Sequence, residues 1–86
     1  MDTSSVRIEI RAFARARELL GSGALVLDLP AGATVADAWA ALEQRVPQLR
    51  EFAASTRVAR NARMAKRDDA LSDGDELALL PPVGGG

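Results

Sequence analysis

The sequence predicts an α+β domain in which one mixed sheet is covered on one face by a single main helix. Three observations carry this. Two early segments place an apolar residue at every second position, a central segment places them at helical spacing behind a capping pair, and a last alternating segment runs into two prolines. With 86 residues the chain has room for one small core, and residues 1–86 read as a single domain without internal repeat or linker.

Val6, Ile8, Ile10 and Ala12 alternate with Arg7, Glu9 and Arg11, the period of a strand that buries one face. From Phe13 to Leu20 the alternation is lost and the segment stops at Gly21, which predicts a short helical turn with glycine as its exit. Leu25, Leu27 and Leu29 alternate with Val26 and Asp28 before Pro30, a second strand expected to pair with the first. Thr34 and Asp37 sit where an N-cap and a first-turn acid belong. Behind them Val35, Ala38, Trp39, Leu42 and Val46 recur at helical spacing until Pro47 ends the helix, and Leu49 and Phe52 are expected to seal the loop beyond. Trp39 lies on the apolar stripe and is assigned to the core rather than to a stacked ligand.

Val58 to Asn61 and Met64 to Ala65 read as two short strands around a turn at Asn61, with Asp68 and Asp69 in a polar connection. Ser72, Asp73 and Gly74 make a turn that launches a final strand, Glu76 to Leu80, whose Leu77 and Leu79 face the core. Asp73, Asp75 and Glu76 match no calcium-loop spacing and read as acids of an exposed turn, so no metal site is expected. This order of strand, strand, helix and further strands is that of a β-grasp, or ubiquitin-like, domain.

Composition excludes much. The chain has no Cys and no His, hence no disulfide framework, zinc-finger site, thiolate nucleophile or imidazole base. The net charge of -1 argues against a nucleic-acid binder, and the basic residues between Arg57 and Arg67 read as a solvated strand edge rather than a phosphate site. No apolar run approaches the about 20 residues needed to span a bilayer, and MDTSSVRIEI lacks the basic start and apolar stretch of a signal peptide. A cytoplasmic protein without membrane partners is expected.

The sequence closes on DGDELALLPPVGGG. Pro81 and Pro82 lack backbone donors, so they end the last strand and favour an extended exit from the domain, giving a tail at residues 81–86. Val83 to Gly86 reach about 13 Å when extended, at roughly 3.3–3.6 Å per residue. Val83, Gly84 and Gly85 are suited to threading a narrow channel, and Gly86 leaves its carboxyl sterically open. A carboxylate is a poor electrophile and needs activation, most simply by an ATP-dependent enzyme that makes an acyl-adenylate. A chain without Cys or His fits that role, because partners supply the reactive groups. A frayed end is the plain alternative for any Gly-rich terminus.

The segment LSDGDELALLPPVGGG resembles the ending of molybdopterin synthase small subunits, the MoaD group within the MoaD/ThiS ubiquitin-like sulfur carriers. AFARARELLG, LPAGATVADAWAALEQRVPQL and RVARNARM extend the resemblance over nearly the whole chain. It implies that Gly86 is adenylated by a MoeB-like enzyme using ATP, converted to a thiocarboxylate with sulfur from a donor protein, and used to deliver sulfur to a pterin precursor in a large, MoaE-like subunit. It implies no cofactor bound by the chain itself. Gly84 stands where Ser or Thr is more usual in that group, and Arg60 where a small apolar residue usually precedes the Asn matched by Asn61. Carriers for thiamine, cysteine or tRNA thiolation share this chemistry, and a ubiquitin-like modifier that forms an amide with a lysine is the alternative from another class.

Strand parity adds a docking expectation. If Val6, Ile8 and Ile10 face the helix, Phe13 points to the other side of the sheet, and Ala78 and Leu80 lie opposite Leu77 and Leu79. Phe13, Ala78 and Leu80 are therefore expected to form an exposed apolar patch at the root of the tail, where partners dock.

Overall fold

The computed structural model describes residues 5–81. Pro82, Val83, Gly84, Gly85 and Gly86 lie outside the described residues. Strand β1 (Ser5–Ala12) buries Val6, Ile8, Ile10 and Ala12 and turns the residues between them outward, as the alternation requires. Helix α1 (Ala14–Leu20) follows, with Phe13 at its N-cap and Gly21 at its C-cap in the left-handed region at φ 76°, where glycine has no Cβ penalty. Strand β2 (Ala24–Pro30) returns antiparallel to β1, placing Ile8 opposite Leu27 and Val6 opposite Leu29.

Helix α2 (Val35–Arg45) starts with a complete capping box. The Thr34 side chain accepts the Asp37 N–H, and the Asp37 carboxylate accepts the Thr34 N–H at 2.8 Å. The Val35 and Ala36 amides, which no turn of helix precedes, donate to the carbonyls of Asp69 (3.0 Å) and Arg67 (2.9 Å). The polar connection after β4 is thus a second cap. Val35, Ala38, Trp39 and Leu42 form the buried stripe that packs on the sheet.

Past Pro47 the chain does not run as a loop. Pro47–Phe52 form a 3-10 helix, because a proline that cannot continue α2 has the φ suited to the first turn of a new one. Leu49 is fully buried there, and Phe52 is half-buried. Strands β3 (Arg57–Arg60) and β4 (Arg63–Met64) form a hairpin whose two connecting residues, Asn61 and Ala62, both have positive φ, 50° and 71°. That is the primed turn whose twist matches a hairpin. The observed β4 starts one residue before the expected Met64 to Ala65 and stops at Met64, leaving Ala65 outside it, though the Ala65 N–H still donates to the Val58 carbonyl.

Strand β5 (Glu76–Leu80) inserts between β1 and β3, parallel to the first and antiparallel to the second, in the order β2-β1-β5-β3-β4. Leu77 lies beside Ile10, and Leu79 beside Ala12 and Val58, so both leucines complete the core under α2. The fold is the expected β-grasp, and it brings the strand that carries the tail into the middle of the sheet. No helix among the described residues is long and apolar enough to cross a membrane.

Candidate functional site

The site is built where β1 and β5 end side by side. Their parallel pairing carries Ala12 alongside Leu79, so the chain leaves β1 at Phe13 close to where it leaves β5 at Pro81. Phe13 holds extended backbone, and Ala14 then takes φ 51° to start α1. This sharp exit leaves Phe13 46% exposed rather than folded into the core. Phe13, Leu80 and Pro81 line one pocket of about 190 Å³, closed by Ala16 of α1 and by Phe52 and Thr56 from the 3-10 helix and its exit.

Phe13 and Leu80, expected on one exposed patch, line the same concave pocket rather than a flat face. Ala78 does not line it. It lies half-buried on the open face of the sheet, between Arg11 of β1 and Ala59 of β3. Two apolar residues were missed. Phe52 forms the far wall of the pocket, and Met64, 58% exposed, stands opposite Ala59 on the open face. Their signal in the sequence was slight, a single Phe after a proline and a Met in a strand of two residues.

The acids on either side of Gly74 serve three separate ends. Asp73 accepts the Arg7 N–H at 2.7 Å, and Glu76 pairs with Arg11 at 3.2 Å. Asp75 is buried, contrary to the expectation of an exposed turn acid. Its carboxylate accepts Arg60 Nε at 2.7 Å, Asn61 Nδ2 at 2.9 Å and the Ser72 N–H at 2.7 Å. Asn61 also accepts the Glu76 N–H at 2.9 Å, so the hairpin turn, the loop and the start of β5 form one clasp. Arg60 is accounted for by this clasp. No group of three or more metal-binding side chains converges among the described residues.

Burial by itself raises the Asp75 carboxyl, but the Ser72 amide, the Arg60 guanidinium and the Asn61 amide outweigh it and hold it below the usual aspartate value. A depressed folded value means that the unfolded chain takes up the proton more readily. The clasp's contribution is therefore complete above about pH 4 and is lost as the pH falls through the depressed value. Asp75→Asn is expected to cost about 1–3 kcal/mol at neutral pH, with the gap to wild type narrowing in acid. Urea unfolding at several pH values checks this, and a gap that does not change with pH contradicts it.

With this geometry, likeness to known proteins is informative. The family model described as the ThiS family matches residues 10–86. A molybdopterin synthase sulfur carrier subunit of Arabidopsis thaliana is 39% identical over 85 residues, covering 99% of this chain and 88% of the relative. One from Chlamydomonas reinhardtii is 32% identical over 83 residues, covering 94% and 100%. Small archaeal modifier protein 1 of Haloferax volcanii is 38% identical over 87 residues, covering 92% and 100%. Its crystal structure superposes with a TM-score of 0.83 at 35% identity, covering 91% of this chain and 99% of that one.

Proposed function

The chain belongs to the ThiS family, and from that premise we propose that it is the sulfur carrier subunit of a molybdopterin synthase. The observation that carries this is the near full-length match to relatives named as such carriers, within a family match that runs through Gly86. The described residues supply a rigid body and a pocket at the root of the tail. The chemistry falls to Gly86.

In this reading a MoeB-like enzyme joins the Gly86 carboxylate to the AMP moiety of ATP and releases pyrophosphate. Sulfur at the sulfide level, brought by a donor protein, then displaces AMP and leaves a thiocarboxylate. Pro81 and Pro82 favour an extended exit from the domain. Val83, Gly84 and Gly85 thread the active site of the large, MoaE-like subunit, where the sulfur passes to a pterin precursor and water takes its place on the acyl carbon, restoring the Gly86 carboxylate. ATP is consumed by the activating enzyme, and the carrier itself binds no cofactor. The pocket of Phe13 and Leu80, with Ala78 beyond it, docks each partner in turn.

The Haloferax relative is named a modifier, and this favours one second reading, in which the same activated glycine forms an amide with a lysine. Incubation with the activating enzyme, ATP and a sulfur donor separates the two. A mass gain equal to one oxygen replaced by sulfur is expected. Stable protein conjugates without that gain would establish the modifier instead.

A further inference from the structure

A second pocket adjoins the first across Thr56, which lines both. It has a volume of about 440 Å³ and lies at the β3–β4 edge, between Arg57 and Arg67, with Val35, Met64 and Ala65 as an apolar floor. Arg57 is the cross-strand neighbour of Leu80, the last residue of β5. Arg67 is held in place. Its Nη2 donates to the Ala53 carbonyl, and its guanidinium lies 5.8 Å from the centroid of the Trp39 ring. Neither arginine forms an ion pair among the described residues, whereas Arg7, Arg11, Arg15, Arg50 and Arg60 all do.

An arginine has five N–H donors, and only one of Arg67's is engaged by Ala53. Its fork is fixed before any partner arrives, which lowers the entropy cost of binding a planar anion. Two cations above an apolar floor suit a carboxylate on an apolar stem. A nucleic-acid backbone needs a run of phosphate contacts, which two arginines cannot provide on a chain of net charge -1.

We infer that this pocket takes a carboxylate side chain, borne on an extended acidic segment of the protein that receives the tail. The inference rests on the carrier reading only in naming that protein as the owner of the segment. The partner's surface then carries an apolar group for the Phe13 and Leu80 pocket and, beside it, an acid for Arg57 and Arg67. The pairing orients the body about the axis of β5, which the apolar pocket alone does not.

The test is an NMR titration of the full chain with a blocked pentapeptide of alternating glutamate and valine. The glutamine counterpart and a single-stranded RNA oligomer serve as the other probes. The glutamate peptide is expected to shift the Thr56 amide, the Arg57 and Arg67 side-chain N–H groups and the Met64 methyl, and to bind about tenfold more tightly than the glutamine peptide. Arg57→Gln is expected to remove that tenfold preference, and Arg45→Gln, on α2, to leave it unchanged. Equal binding of the two peptides, shifts confined to other surfaces, or tighter binding of the RNA at these resonances would overturn the inference. The peptide comparison needs no variant, so a folding defect in Arg57→Gln does not blunt it. The mass gain at Gly86 is read separately, so the carrier reading and this one can fail independently.

Discussion

Removal of Gly86, or addition of one residue after it, is expected to lower sulfur incorporation by at least about a hundredfold and to leave the melting temperature unchanged. The first part follows from reach. One residue moves an extended carboxyl by roughly 3.3–3.6 Å, and a misplacement of about 1 Å at a reacting centre already costs on the order of a hundredfold. The second part follows from the core, whose buried side chains among the described residues run from Val6 to Leu79. Mass spectrometry of the thiocarboxylate, beside calorimetric unfolding, reads both. A shortened chain that took up sulfur at the normal rate would remove Gly86 from the chemistry.

Phe13→Asp is expected to weaken binding to the large synthase subunit by about 2–4 kcal/mol, roughly 30- to 1000-fold, as for a central aromatic anchor. The fold should tolerate it. Phe13 is 46% exposed and caps α1 without a side-chain hydrogen bond, and aspartate is a favoured N-cap residue, so a new cap offsets part of the lost burial. Leu80→Asp should weaken binding as well, with a larger loss of stability because Leu80 is half-buried. Ala78→Asp distinguishes two extents of interface. A pocket-centred contact leaves its affinity near wild type, whereas a contact spread over the open face weakens with it. Calorimetric titration measures all three, and unchanged affinity for Phe13→Asp would end the docking assignment.

The sheet was legible because its signal is local. Parity alone assigns Ile8, Leu27, Leu77 and Leu79 to one face, and the Thr34 and Asp37 pair marks where α2 begins. What escaped depends on residues distant in the chain. Nothing near Asp75 in sequence says that Arg60 and Asn61 will enclose it, so an acid beside a turn reads as solvated. Pro47 reads equally well as a stop and as a start, and it is both, which hid the 3-10 helix that brings Phe52 to the pocket. Phe13 and Leu80 were recognisable one at a time, because each breaks the parity of its strand. That they enclose a cavity is a property of the parallel pairing of β1 with β5.

The same pairing has a mechanical side. In the proposed reading a partner that grips the tail and takes its sulfur must then let the carrier go, and any tug on the tail is delivered straight to β5. That strand is laced on both edges, to β1 and to β3, with hydrogen bonds that run across the pulling direction. They are loaded together in shear instead of being unzipped one at a time, as they would be in a peripheral strand pulled sideways. If the tail threads a channel as proposed, the placement of β5 in the middle of the sheet would let the body be drawn back from it, cycle after cycle, without unravelling from the end that is held.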